Sequence, residues 1–233
     1  RYNNALEGAP GLDAFEISQY LTNAQEEIVK ESYDIDTDPR SSFELKEKSR
    51  RVLNELVKTE IITTAISSNR GLVADSKFYE LESTPMYIVF ESVKIDSTDG
   101  VYNGKVIDVI PITHDEFMRS YRNPFRKPNK NKAWRLDLSK ENSKTTVEII
   151  SEEALSEYFV RYIEFPSPII ISNLITDKEV GGMGLTINGR TASATCVLNV
   201  QVHSLIIDRA VEMAVLDYRQ SSLEARTALN KRI

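Results

Sequence analysis

Hydrophobic and polar residues follow two different periods along this chain of 233 residues. Near both ends, apolar residues recur every three or four positions, which is typical of amphipathic helices. In the middle of the chain they form β-branched and aromatic runs bounded by Gly, Pro, Asp and Ser, which is typical of strands. The pattern therefore predicts helices at the two ends and a β-rich region between them.

Three long helices are predicted. The first runs from about Asp13 to Tyr33, with Asp13 as its N-cap. The second runs over about 42–58, where Ser41 and Glu44 have the spacing of a capping box. The third lies at the end of the chain and has a broad apolar stripe. Its members are Val202, Leu205, Ile206, Ala210, Met213 and Ala214.

Seven strands are predicted from runs rich in β-branched and aromatic residues. They cover 61–66, 78–81, 86–93, 106–112, 134–138, 147–150 and 158–165. A short helix is expected over Thr113–Tyr121, because Thr113 and Glu116 have capping-box spacing. The glycine-rich stretch 181–189 predicts a mobile loop or a hairpin rather than a core element.

These elements predict an α+β fold, with N- and C-terminal helices packed together and a central, mainly antiparallel β-rich region. Neither an internal repeat nor a low-complexity linker divides the chain. We therefore expect a single domain, 1–233. Its helical part comprises 12–58 and 200–232, and its β-rich part comprises 59–199.

Composition narrows the class of protein. A single cysteine, Cys196, excludes an internal disulfide framework and a cysteine-rich zinc site, and it suits a reducing cytoplasm. No apolar run approaches the roughly 20 residues that span a bilayer, and no signal peptide opens the sequence, so we expect no membrane partner. The net charge of -6 argues against bulk binding to nucleic acid but leaves room for a local basic patch.

Such a patch is present, and we call Arg119–Arg135 the basic segment. It contains no Asp or Glu. Its cations are Arg119, Arg122, Arg126, Lys127, Lys130, Lys132 and Arg135. Aromatic residues lie within or beside it at Phe117, Tyr121, Phe125 and Trp134, and Pro124 and Pro128 prevent a helix.

Three interpretations of the basic segment are open. It could dock on an acidic surface of a neighbouring subunit, or contact DNA phosphates while its aromatics stack on bases. It could also be a solvated loop whose aromatic residues pack on their own sheet. The acidic net charge of the chain favours subunit docking, with DNA contact as the alternative.

Motifs for metal binding are incomplete. The segment 34–38 imitates the start of a calcium loop, but Pro39 and Leu45 stand where such a loop needs Gly and Glu. It is better explained as an exposed acidic turn. The acids Asp115 and Glu116 beside His114 are explained as first-turn acids of the short helix.

No catalytic or cofactor site is predicted either. Cys196 and His203 could form a nucleophile–base pair, but no motif supplies a third, orienting residue. The glycines at 181–189 do not match a dinucleotide-binding fingerprint. We expect no catalytic residue, no cofactor and no metal, and an enzyme of unrecognised type remains an open alternative.

The order and spacing of several stretches carry a family resemblance. They are 121–128, 133–135, 162–170, 196–198 and 203–214. Together they resemble virion structural proteins of crAss-like tailed phages, and more distantly the head–tail connector or tail-tubular (gatekeeper) proteins of short-tailed phages. The similarity of pattern covers most of residues 85–218.

This resemblance implies a non-catalytic ring subunit that joins portal to tail and surrounds the DNA channel, commonly in twelve copies. Its expected partners are its own copies, the portal, other neck and tail proteins, and passing double-stranded DNA. Its expected location is the virion neck or tail, after assembly in the host cytoplasm. In a ring, the basic segment would dock on an acidic face of the next subunit, for instance Glu26, Glu27 and Glu31. The alternative is a DNA-binding accessory protein that uses residues 119–135.

Overall fold

The computed structural model of the chain describes residues 11–33, 47–66, 71, 73, 76–97, 101–137, 144–177 and 180–230. The chain forms two compact units. Arg1–Leu56 and Pro166–Ile233 form the first, which we call the helical unit because it carries the two long helices. Val57–Phe165 forms the second, which carries the β-sheet and which we call the sheet unit.

The α-helices of the described residues lie close to their predicted positions. They are α1 (Ala14–Tyr33), α2 (Glu47–Leu53), α3 (His114–Ser120) and α4 (His203–Asn230). The N-cap at Asp13 is confirmed, since its Oδ1 accepts from the Glu16 N–H at 2.7 Å, and the Glu16 carboxylate accepts from the Asp13 N–H at 3.1 Å. The predicted capping box at 41 and 44 and the acidic turn 34–38 lie outside the described residues.

Helices α1 and α4 pack against each other, as the sequence predicted for the terminal helices. Ala24 and Ile28 of α1 and Ile206 of α4 are buried apolar residues of this unit. At the margin, the Arg209 guanidinium donates to both carboxylate oxygens of Glu27, at 2.6 and 2.7 Å. Apolar packing flanked by a bidentate ion pair therefore fixes the pairing of the two helices.

Helix α1 also buries a polar stripe, Ser18, Thr22 and Gln25, at helical spacing. The side chains bind the backbone of the extended segment 167–171. The Thr22 hydroxyl accepts from the Ile169 N–H at 3.1 Å, and the Ser18 hydroxyl accepts from the Ile171 N–H at 3.1 Å. The segment is therefore held along α1 by side chains that replace the partner strand of a sheet.

The amide of Gln25 joins two separate stretches of the chain. Its Nε2 donates to the Ser167 carbonyl at 2.8 Å, and its Oε1 accepts from the Cys196 thiol at 3.1 Å. Pro166 and Pro168 are buried at alternate positions, where a residue without an N–H costs no hydrogen bond to α1. The Pro-Ser-Pro pattern is therefore explained by the docking of this segment on α1.

The glycine-rich stretch 181–189 ends in a tight hairpin. Ile187 and Arg190 exchange backbone hydrogen bonds at 2.9 Å, and Asn188 and Gly189 have φ values of 49° and 75°. Asn-Gly is the preferred pair for such a turn, because both central residues need positive φ. Ile187 is also buried in a cluster with Ile170, Leu174 and Val180, so this hairpin contributes to the core of the helical unit.

Among the described residues, seven strands form one sheet, in the order β1-β7-β3-β4-β5-β6-β2. They are β1 (Val57–Ile62), β2 (Lys77–Glu80), β3 (Pro85–Ile95), β4 (Val106–Pro111), β5 (Lys132–Asp137), β6 (Thr146–Ile150) and β7 (Leu155–Glu164). Every neighbouring pair is antiparallel except β4 and β5, which are parallel. The predicted α+β fold with a mainly antiparallel β-rich region is confirmed.

The sheet is strongly curled. Five strand spacings separate β2 from β7, which would place facing side chains about 24 Å apart in a flat sheet. The rings of Tyr79 on β2 and Tyr158 on β7 are instead 5.2 Å apart. The concave face closes around an apolar core to which every strand from β2 to β7 contributes.

Two predicted boundaries were wrong. The second helix was expected to reach Lys58, but it ends at Leu53, and after a 3-10 turn the chain enters β1 at Val57. Val57 pairs with Ile163 of β7, so long-range strand pairing overrides the local helical pattern. The segment 166–199 was expected in the β-rich region. Among its described residues the structure shows turns and isolated bridges, and the segment groups with the helical unit.

A buried ion pair lies inside the sheet unit. Arg135 of β5 donates from Nε to the Glu91 carboxylate of β3, with a shortest distance of 2.6 Å, and both side chains are less than a tenth exposed. The Tyr158 hydroxyl donates to the same carboxylate at 3.3 Å. Arg135, which the sequence placed among the contact cations of the basic segment, is therefore buried, because Glu91 gives the cation a partner inside the sheet unit.

The polar stripe of α1 leads to a first prediction. Thr22→Val keeps the shape of the side chain but leaves the part-buried Ile169 N–H without its acceptor, which costs about 1 kcal/mol of stability, the low end of the penalty for an unpaired buried group. We expect chemical denaturation to show this loss. The control Asn23→Ala, at the exposed position next to Thr22, should change stability by less than about 0.5 kcal/mol. Equal stability of Thr22→Val and the wild type would contradict the role of the stripe.

The buried ion pair leads to a second prediction. Glu91→Ala removes the carboxylate that Arg135 binds, and loss of one partner of a buried pair costs about 3–5 kcal/mol. Replacing both partners by apolar residues, Glu91→Met with Arg135→Leu, should recover most of that loss, because neither member of the pair is then left buried without the other. Thermal unfolding of the three proteins measures the difference. A double variant as unstable as Glu91→Ala would contradict this account.

Candidate functional site

The basic segment lies on the crossover between the two parallel strands. The chain leaves β4 at Pro111, forms α3, and returns at Lys132 to run beside β4 in the same direction. The predicted N-cap of α3 is confirmed, because the Thr113 hydroxyl accepts from the Glu116 N–H at 3.2 Å. Phe117 of α3 is buried edge-on against Trp134 of β5, with ring centroids 6.3 Å apart. The crossover is therefore anchored on the sheet that it connects.

Two asparagines order the crossover loop, which we define as residues 121–131. Asn123 Oδ1 accepts from the Phe125 N–H at 3.0 Å, and its carbonyl accepts from the N–H groups of Arg126 and Lys127 at 3.0 Å. Asn129 Oδ1 accepts from the Asn131 N–H at 2.9 Å. These side-chain turns fix the loop backbone, which lowers the entropy lost when the loop binds a partner.

Four cations of the basic segment are exposed. They are Arg119, Arg122, Arg126 and Lys127. Within the part of the chain that the structure describes, none of them forms an ion pair. Phe125 lies among them and is 91% exposed. The ordered loop and the adjoining end of α3 therefore present four charges around the Phe125 ring, a composition typical of protein-binding anchors.

The other three cations of the segment have different surroundings. Lys130 lies 3.4 Å from Glu153 and 4.4 Å from the centre of the Tyr102 ring. Lys132 is half-buried at the start of β5. Arg135 is buried against Glu91 and serves the fold. The seven predicted contact residues thus divide into four surface cations and three that lie closer to the sheet.

The acidic face suggested for docking is already engaged in ionic contacts. On α1, Glu27 binds Arg209 through both oxygens, and Glu31 lies 3.8 Å from the same guanidinium. Glu26 lies 3.9 Å from Lys30. The hydrogen bonds from Arg209 hold the pKa of the Glu27 carboxyl below its usual range, although its partial burial opposes them. Part of the negative charge of α1 is therefore neutralised within the chain.

The groups considered for catalysis have other partners. Burial raises the pKa of the Cys196 thiol, which disfavours the reactive thiolate. That thiol donates to Gln25, while Nε2 of His203 lies 2.9 Å from the Leu198 carbonyl oxygen. His114 is exposed at the start of α3. The geometry therefore gives no support to a nucleophile–base pair at Cys196 and His203.

The residues that the structure describes contain no group of three or more His, Cys, Asp or Glu side chains that could hold a metal ion. They also contain no helix long and apolar enough to cross a membrane.

Sequence reasoning missed two exposed apolar features. Phe125 was noted as one of several interleaved aromatics, but its sequence neighbourhood does not distinguish it from the buried Phe117 and Trp134. On α4, Leu205 was expected in the buried stripe and is 53% exposed, which corrects that prediction. Over residues 203–218, five other large apolar side chains of α4 are also exposed: Ile207, Val211, Val215, Leu216 and Tyr218. The sequence did contain a signal for the exposed side chains of α4, because the apolar stripe of that helix is too broad for one packing partner to cover.

Comparison with known proteins agrees with the sequence resemblance. Residues 2–226 match the family described as phage tail ring protein 3/4. Ring protein 3 of Bacteroides phage crAss001 is 36% identical over 211 residues, which cover 90% of this chain and 87% of that protein. Ring protein 4/5 of the same phage is 33% identical over 243 residues, with coverages of 99% and 94%. The chain therefore belongs to the phage tail ring protein 3/4 family.

Proposed function

We propose that the chain is a non-catalytic structural subunit of a ring in the neck or tail of a phage virion, built from copies of itself. Two relatives that match nearly the whole chain are named ring proteins, which supports this function. The geometry around Cys196, His203 and His114 does not support a catalytic function in its place. The proposal extends to a ring that joins the portal to the tail, surrounds the DNA channel, contains twelve copies and assembles in the host cytoplasm.

The crossover loop is the observation that carries this proposal. A closed ring needs a surface on each subunit that fits a different surface on the next. The loop presents Arg122, Arg126 and Lys127 around Phe125 on a fixed backbone, in a chain whose net charge is -6. Such a cationic surface complements the acidic remainder of another copy, and charge complementarity sets register and partner choice.

Charge reversal tests the role of the loop in assembly. Arg122→Glu, Arg126→Glu and Lys127→Glu together should abolish ring formation, because they replace attraction between copies by repulsion. A matched control reverses three exposed cations that do not contact the crossover loop, Arg50→Glu, Arg51→Glu and Lys77→Glu. The native masses of the three proteins, measured by light scattering, should show rings for the wild type and the control only. A full-sized ring formed by the loop variant would refute docking through the loop.

A DNA-binding function remains the second candidate, because the same exposed cations and Phe125 could contact phosphates and bases. If the loop contacts DNA, log affinity must fall linearly with log salt, by about 0.9 per phosphate contacted. We expect the triple loop reversal to leave the affinity of the chain for double-stranded DNA unchanged. A salt-dependent affinity that disappears in that variant would favour the DNA-binding function instead.

A further inference from the structure

Helix α4 presents an exposed apolar face, which we call the outer stripe. It consists of Ile207, Val211, Val215 and Tyr218, each between 41% and 55% exposed. Their spacing of four, four and three residues places them on one side of the helix. Ile206 and Ala210, which are buried, lie on a different side. Helix α4 therefore has an apolar face in addition to the one that its own unit covers.

Carboxylates border the outer stripe. By helical geometry, Asp208 and Glu212 lie between the stripe and Arg209 around the helix. The guanidinium of Arg209 is directed to Glu27, and it also reaches Glu212 at 3.1 Å. The border of the stripe therefore carries more negative than positive charge. A surface that covers it should be apolar and bordered by cations.

The crossover loop and the adjoining end of α3 have this complementary composition. Phe125 is 91% exposed and Met118 is 72% exposed, and both lie among the exposed cations Arg119, Arg122 and Arg126. Aromatic and Arg side chains are enriched among the residues that dominate binding energy at interfaces. The loop and the outer stripe are different surfaces of the chain, as contact between successive ring subunits requires.

We propose that Phe125 of one copy packs on the outer stripe of α4 in a second copy, with Arg122 and Arg126 facing Asp208 and Glu212. This contact rests on the proposed ring function and names its two surfaces. Pairing of two outer stripes with each other is disfavoured, because it would bring carboxylate borders of like charge together. The Glu26, Glu27 and Glu31 face of α1 is a weaker partner, because α1 offers no exposed large apolar side chain on which Phe125 could pack.

Mixed cross-linking tests the contact. In a Cys196→Ser background, one protein carries Pro124→Cys, at the exposed position beside Phe125, and another carries Val211→Cys. The two are mixed under conditions in which the wild type forms rings, and are then oxidised. We expect disulfide-linked dimers in the mixture and at most about a tenth as much in either protein alone. Dimers from Val211→Cys alone would show stripe-to-stripe pairing, and the absence of mixed dimers would show that the surfaces do not meet. Either result overturns the proposal.

A charge exchange gives a second readout that does not depend on an engineered cysteine. Arg122→Glu with Arg126→Glu should weaken association at least tenfold, and so should Asp208→Lys with Glu212→Lys. Combining the four changes should restore most of the association. As a matched control, Glu26→Lys with Glu31→Lys should restore nothing when combined with the loop changes.

The outcomes separate this contact from the proposed function. A wild-type chain that forms no ring overturns both. A wild-type ring, with no mixed cross-link and no recovery in the four-fold variant, overturns this contact alone and leaves the ring function standing.

Discussion

The parallel pairing of β4 with β5 is the constraint on which the candidate site depends. In an otherwise antiparallel sheet, two neighbouring strands that run in the same direction need a connection that crosses back over the sheet. That connection is α3 and the crossover loop. Phe117 anchors it against Trp134, and the Arg135–Glu91 pair buries the strand to which it returns. The backbone that carries the exposed cations is therefore held against the sheet.

The helical unit also contains an extended stretch of backbone, and side chains of a helix supply its hydrogen-bond partners. The segment 167–171 is extended but has α1 beside it, and the hydroxyls of Ser18 and Thr22 replace the carbonyl groups that a partner strand would supply. The Pro-Ser-Pro stretch and the Cys196 stretch, which carry part of the family resemblance, meet at the amide of Gln25. Their role in this fold is structural, which explains how a motif without catalytic residues can identify a family.

The sequence predicted the fold class, the packing of the terminal helices and most strands, because these depend on local periodicity. It could not predict features that depend on long-range partners. The burial of Arg135 requires Glu91, 44 positions away, and the strand start at Val57 requires Ile163. For the same reason, the sequence could not show which cations of the basic segment are exposed and which have partners in or near the sheet. Likewise, the exposure of Phe125 and Val211 depends on what covers each side chain, which a local pattern does not record.

We propose that this member of the phage tail ring protein 3/4 family acts through contacts between its copies. Single-particle electron microscopy of the assembled wild-type chain tests that account most directly. We predict a closed ring with rotational symmetry, in which each crossover loop lies against α4 of the neighbouring subunit. A chain that remains monomeric at every concentration, or that forms only two-fold dimers joined through identical surfaces, would contradict it.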